Sequence, residues 1–161
     1  MRIGVVSDTH NNLKSVRQIV EIFNSEEVDR VVHTGDITKG STLALFSDLQ
    51  APLFGVFGNN DVERQGLDEV ISVCGFTYAE HYLDLDWECR RVVVVHDPFD
   101  LNHIQADYNL VLHGHTHMYR ADKPDQNKLI FNPGECAGHM KGLNAVGIVD
   151  LDDLNTEILK F

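Results

Sequence analysis

Three histidines alternate in the stretch LVLHGHTHMY, at His113, His115 and His117. Residues two apart in an extended chain project to the same side, so His115 and His117 can present their imidazoles together. Imidazole is a ligand for transition ions and a proton carrier near neutral pH. Related side chains recur elsewhere: Asp8 and His10 after IGVV, Asp36 after VVHTG, Asn59 within LFGVFGNND, and His96 after RRVVVV. Singly, each has an ordinary structural reading. Asp8 or Asp36 would cap a helix or turn, Asn59 would take a left-handed turn position, and His96 would be a hydrogen-bonded histidine at a strand end. Together, Asp8, His10, Asp36, Asn59, His96, His115 and His117 form a mixed imidazole and carboxylate set that suits Mn, Fe, Ni or Zn. If Asp36 is shared, it bridges two ions. Each ion then has four protein ligands, with positions left open for water and substrate.

Such a set works only if the backbone gathers it. The runs Ile3 to Val6, Val31 to Val32, Leu53 to Phe57, Val92 to Val95 and Leu110 to Leu112 are short and apolar, as expected of strands buried on both faces. Leu13, Val16, Ile19, Val20 and Phe23 keep a helical period after Asn11 and Asn12. Leu43, Phe46 and Leu49 do so after Ser41, and Val62, Val70 and Ile71 mark a third helix weakened by Gly66. Strand, helix, strand predicts parallel pairing with right-handed crossovers, and ligands bind at the carboxyl edge of such sheets. All seven candidates lie just past a predicted strand end. The second half reads differently. TYAEHYLDLDWECRRVVVV predicts a hairpin turning near Asp86 to Cys89, KLIFNPGE a strand into a Pro-Gly turn, and NAVGIVDLDDLNTEILKF a hairpin turning at Asp152 to Asn155. The expected fold class is α/β: a four-layer sandwich of two packed mixed β-sheets flanked by helices, with residues 1–161 as one domain.

Composition narrows the classes of function. The 161 residues are 43% hydrophobic, enough for a real core, with no linker, repeat or low-complexity tract. No apolar run reaches the ~20 residues that cross a bilayer. MRIGVVSDTH reads as a first strand, not a signal peptide. Cys74, Cys89 and Cys136 are scattered and odd in number, which fits neither a disulfide framework nor a CxxC zinc pair and points to the cytoplasm. A net charge of −12 disfavours nucleic acid and anionic membranes as partners. A phosphate-bearing substrate would need a local positive centre.

In this order, DTH, GD, GNND, HD and GHTH resemble the motifs of the calcineurin-like metallophosphoesterases, in particular their small single-domain phosphodiesterase branch. The resemblance runs from Asp8 to NPGE near Asn132. It implies two divalent transition-metal ions, Mn²⁺ first, with Ni²⁺, Co²⁺, Fe²⁺ or Zn²⁺ as alternatives. Asp8, His10 and His117 would hold one ion, Asn59, His96 and His115 the other, and Asp36 would bridge them. The implied activity is phosphoesterase, foremost phosphodiesterase, by in-line attack of a metal-bridging hydroxide on a small phosphate ester. Asn59, Asp36 and His96 carry the catalytic roles. A homodimer is compatible with this reading. His113 is expected to be structural and His33 to support a ligand. His139 is expected to line the cleft, His81 and His103 lie outside the motifs, and Cys136 is expected to be a packed thiol.

Two positions depart from the family pattern. Many relatives have a histidine acting near the leaving group where this chain has Asn60, and a glycine after the lone histidine where it has Asp97. The rival reading on the same fold is a non-catalytic scaffold that binds proteins. A β-lactamase-like metallohydrolase, with an HxHxDH run, fits less well because Met118 stands where its aspartate would be.

Overall fold

β-Branched runs and amphipathic stretches alternate through the first half of the chain, and each becomes one element. The computed structural model describes residues 1–104, 107–139 and 142–161. The first half runs β1 (Arg2–Val6), α1 (Leu13–Ser25), β2 (Arg30–His33), α2 (Gly40–Leu43), a 3-10 turn (Ala44–Asp48), β3 (Leu53–Val56), α3 (Arg64–Cys74) and β4 (Thr77–Ala79). The second half runs β5 (Tyr82–Trp87), β6 (Arg90–Val95), a 3-10 turn (Pro98–His103), β7 (Leu110–Leu112), β8 (Arg120–Asp125), β9 (Lys128–Asn132), β10 (Ala145–Asp150) and β11 (Asn155–Lys160).

Two mixed sheets result. The first has the order β11-β10-β1-β2-β3-β4, and the second β5-β6-β7-β9-β8. β1 to β4 are mutually parallel, as are β6, β7 and β9. Ile3, Val5, Val32 and Val56 of the first sheet meet Val92, Val94, Leu110, Leu112 and Phe131 of the second in an inter-sheet core. A second core lies on the other face of the first sheet, where Val16, Ile19, Val20 and Phe23 of α1 join Leu43, Leu67, Val31 and Ile148. α1 starts where the Asn12 side chain accepts from the Ser15 N–H at 3.1 Å. Its Phe23 ring lies flat on β1 because Gly4 has no Cβ: one built there would sit 2.8 Å from Phe23 Cδ1. Burying such a ring stabilises the layer by about 2–3 kcal/mol. The fourth layer is thin, since the 3-10 turn Pro98–His103 is what packs beside β6.

Three local expectations change. The helix expected after Ser41 is one α-turn followed by a 3-10 turn. Lys39 makes no side-chain cap there, and Gly40 backs onto the carbonyl of Gly66, so α2 and α3 touch backbone to backbone. The predicted hairpin from Thr77 divides between sheets: β4 pairs with β3 in the first, and β5 with β6 in the second. Its turn uses Glu88 and Cys89 at φ 49° and 61°. β8 is an edge strand that the sequence reading did not find. It carries Pro124 and a register shift between Asp122 and Asp125, and proline is tolerated in sheets at such edges and bulges. Among the described residues, no helix is long and apolar enough to cross a membrane.

Candidate metal centre

The carboxyl ends of β1, β2, β3, β6 and β7 deliver their loops to one place, and all seven candidates from the sequence meet there. Asp8 is fully buried. Its Oδ2 accepts from the Ser7 hydroxyl, whereas its buried Oδ1 has no hydrogen-bond partner. That orphan oxygen faces His117 Nε2 at 3.5 Å and His10 Nε2 at 4.0 Å. Asp36 lies between two histidine groups, with Oδ2 at 3.5 Å from His10 Nε2 and Oδ1 at 3.6 Å from His96 Nε2. Asn59 Oδ1 is 2.9 Å from His96 Nε2 and 3.0 Å from His115 Nδ1.

The outer nitrogens of three of these rings are already engaged, and this fixes what the inner ones do. His96 Nδ1–H donates to the Thr34 carbonyl at 2.9 Å, and His117 Nδ1–H donates to Glu135 Oε2 at 3.0 Å. His115 Nε2 faces Asp97 Oδ2 at 3.6 Å. The inner Nε2 atoms of His96 and His117 therefore carry lone pairs. They are also crowded: His10 Nε2 is 3.3 Å from His117 Nε2, and His96 Nε2 is 3.3 Å from His115 Nδ1. Ring nitrogens gathered at that distance, beside an orphan carboxylate oxygen, make a donor set that suits a cation. Donor atoms of Asp8, His10 and His117, and of Asp8, Asp36 and His96, lie within 4.8 Å of one another. The donor set thus fits two transition ions with a shared carboxylate. Burial pushes the Asp8 carboxyl above its ordinary value, opposed by the Ser7 hydroxyl and by His117. A bound cation would restore its charge.

Five of the seven candidates hold left-handed backbone: Asp8 at φ 50°, His10 at 41°, Asp36 at 61°, His115 at 64° and His117 at 56°. Such conformations in non-glycine residues cost of order 1 kcal/mol or more each and cluster at functional sites. The surrounding packing holds them. Asp61 accepts from the N–H groups of Asp36 at 3.0 Å, Thr38 at 2.6 Å and Gly58 at 2.7 Å, joining the loops after β2 and β3. His33 is fully buried. Its Nδ1 accepts from Gly35 N–H at 3.1 Å, so Nε2–H faces Thr9 Oγ1 at 3.1 Å, and burial lowers its pKa to about 3.

The remaining residues fall into place around this frame. Asn60 donates its backbone N–H to Asp36 Oδ1 at 2.8 Å and its amide to Oδ2 at 2.7 Å, so it orients the shared carboxylate. Asp97 caps the following 3-10 turn through the Phe99 N–H at 2.9 Å while facing His115. His113 is buried behind the site with Nδ1 3.0 Å from the Gly114 carbonyl. His139 reaches the rim, stacked on His117 with centroids 6.2 Å apart. Cys136 is buried, its thiol directed to the Ala145 carbonyl at 3.1 Å and its pKa pushed up by burial. The sequence reading assigned no role to Glu135 or to the three-way acceptor Asp61. Their signal was a carboxylate directly after a Pro-Gly turn and another directly after GNN.

Comparison with known proteins shows the family and the fold. A model of the calcineurin-like phosphoesterase superfamily domain matches residues 1–154. The chain is 31% identical over 157 residues to a phosphodiesterase of Methanocaldococcus jannaschii, covering 94% of each. It superimposes on the solved structure of an archaeal phosphodiesterase with a TM-score of 0.89 at 30% identity, covering 100% of both chains. A Vps29 structure from Entamoeba histolytica reaches a TM-score of 0.69 at 17% identity, over 100% of this chain and 99% of that one, which is a likeness of fold alone.

Proposed function

The chain belongs to the calcineurin-like phosphoesterase superfamily, and from that premise we propose that it is a metal-dependent phosphodiesterase acting on small phosphate esters. Asp8, His10 and His117 hold one divalent ion, Asn59, His96 and His115 the other, and Asp36 is shared. The observation that carries this reading is the convergence of His10 and His117, and of Asp36 and His96, on Asp8, whose buried Oδ1 has no hydrogen-bond partner. A scaffold with no use for metal has no reason to keep such an arrangement in its interior.

Two divalent ions bound there supply Lewis acidity toward a phosphoryl oxygen and make water acidic enough to serve as a nucleophile at neutral pH. The side chains do the rest. Asn59 turns Oδ1 toward His96 and His115, which leaves its amide N–H₂ on the open side to donate to a non-bridging phosphoryl oxygen. Asn60 fixes both oxygens of Asp36, and Thr34 and Glu135 fix the ring tautomers of His96 and His117. Two divalent ions less the charges of Asp8 and Asp36 would leave about +2, which Glu135 and Asp97 beside the outer ring nitrogens partly offset. Solvent ions screen the acidic surface beyond about 8 Å, so a small anion is attracted while a long polyanion meets the net charge of −12.

Imidazole-rich sites favour Mn²⁺ or Ni²⁺ over Mg²⁺, which prefers oxygen ligands and retains its waters. The test is a hydrolysis panel of phosphodiesters and phosphomonoesters across Mn²⁺, Ni²⁺, Co²⁺, Zn²⁺ and Mg²⁺. Strong turnover of diesters with Mn²⁺ or Ni²⁺, weak turnover with Mg²⁺ and none after chelation are expected. Metal-loaded protein that turns over no ester would overturn the reading in favour of a scaffold.

A further inference from the structure

A cavity of about 380 Å³ opens directly beside His117, within the size range of small-molecule sites. Its wall is mainly apolar, lined by Tyr119, Pro133, Leu143 and Ile158, with Glu135 beside His117 and Lys160 as its charged members. The topology explains why it adjoins the centre. β10 runs antiparallel to β1, so it starts at the edge where β1 ends, and β11 returns to that same edge. Ala145 pairs with Lys160, placing Lys160 at the catalytic edge two strands from β1, about 10 Å away at ordinary strand spacing. Ile158 lies one pleat deeper, on the face turned toward the inter-sheet core. The cavity therefore leads from the metal ligands into the gap between the sheets.

Its walls are held open. Tyr119 is 57% exposed and is braced edge-on by the buried Phe131 ring at 6.3 Å and 88°. Gly147 makes room for the floor: a Cβ there would lie 2.4 Å from Phe131 and 3.4 Å from Pro133. Leu143 is 44% exposed at the mouth. A braced aromatic ring and an open leucine beside a cationic centre suit a ligand that is anionic at one end and apolar at the other.

We infer that this cavity is the ester-group subsite, and that the substrate class is a phosphodiester carrying a large apolar, ring-containing ester group. The inference rests on the phosphodiesterase reading. The phosphate lies at the centre, the ring enters between Tyr119, Pro133, Leu143 and Ile158, and Lys160 adds positive potential at the rim of an acidic molecule.

The test compares two diesters with the same leaving group, methyl 4-nitrophenyl phosphate and 1-naphthyl 4-nitrophenyl phosphate, under Mn²⁺. Wild type is expected to favour the naphthyl ester in kcat/KM by roughly tenfold or more, on the scale of apolar pocket discrimination. Tyr119→Ala and Leu143→Ser, both at exposed positions, should pull that ratio toward one. Independently of turnover, the methyl resonances of Leu143, Ala145 and Ile158 should shift when 1-naphthylphosphonate is added and stay in place with methylphosphonate. Equal kcat/KM for both esters, or a ratio that survives both substitutions, overturns the subsite and leaves the phosphodiesterase reading standing. Methyl shifts that appear without any turnover would show an apolar binding cavity but sink both the phosphodiesterase reading and the ester subsite. If neither shifts nor turnover appear, both fall.

Discussion

Asp36 faces His10 with one oxygen and His96 with the other, so one substitution reaches both halves of the centre. Asp36→Asn removes the shared anion, and metal analysis should show the content falling from two ions per chain toward zero. His117→Ala, which touches only the Asp8 and His10 side, should leave close to one ion. Two full equivalents in Asp36→Asn would contradict the bridging role. Asn60 sets a second expectation. Its amide is committed to Asp36, and the Asp61 oxygens are committed to three backbone N–H groups, so GNND has no proton for the departing oxygen. A positioned acid is typically worth about 10²–10⁴-fold. Across substituted phenyl diesters, the rate should therefore fall steeply as leaving-group pKa rises. A flat dependence with chemistry rate-limiting would reveal another acid, and His139, 5.7 Å from the His10 ring, is the imidazole to examine. The clustering of these residues was legible because each candidate follows an apolar run. Their partners were not: Glu135 engages His117 across 18 residues of sequence, and no local pattern announces that pairing.

Loops, more than strands, set the geometry at the next scale, and Asp61 joins two of them. Asp61→Ala would strand the N–H groups of Asp36, Thr38 and Gly58 where water has little access. Each unpaired buried donor costs about 1–3 kcal/mol, so a loss of roughly 3 kcal/mol or more is expected. That corresponds to a fall in Tm of about 6–12 °C for a domain of this size. A thermal melt showing less than ~1 kcal/mol would mean that water replaces the carboxylate. Parallel β1, β2 and β3 were readable because runs such as IGVV are apolar on both faces, and α1 because its period is unbroken. α2 was misread as a full helix because the contact of Gly40 with Gly66 is tertiary and leaves no periodic trace. The division of β4 from β5 was hidden for a similar reason: alternation fixes a strand's exposed face but not its partner. β8 escaped because its Pro124 speaks against a strand unless the strand is known to lie at an edge.

Stability against pH is a property of the whole molecule, and His33 contributes a definite sign to it. Burial lowers this ring's pKa to about 3 in the folded chain, whereas the unfolded chain protonates it near its ordinary value of 6.5. Between those values the unfolded state binds more protons, so stability is full above pH 6.5 and declines as pH falls toward 3. In chelated protein, urea unfolding at pH 7 and pH 5 should differ by about 2 kcal/mol on this account. His33→Gln should lack that increment; an unchanged difference would place the proton elsewhere. The first sheet also carries a consequence for how the protein is made. β1 is flanked by β2 on one side and by β10 on the other. The loop that ends in β10 also supplies the Cys136 N–H to the Asp8 carbonyl at 3.3 Å, and Glu135 to His117. The Asp8 loop is thus braced by residues more than a hundred positions later in the chain. At ordinary elongation rates of about 5–20 residues per second, Asp8 waits on the order of ten seconds for its brace. A nascent chain arrested before Glu135 should therefore bind a divalent ion at the Asp8 side more weakly than the 161-residue chain.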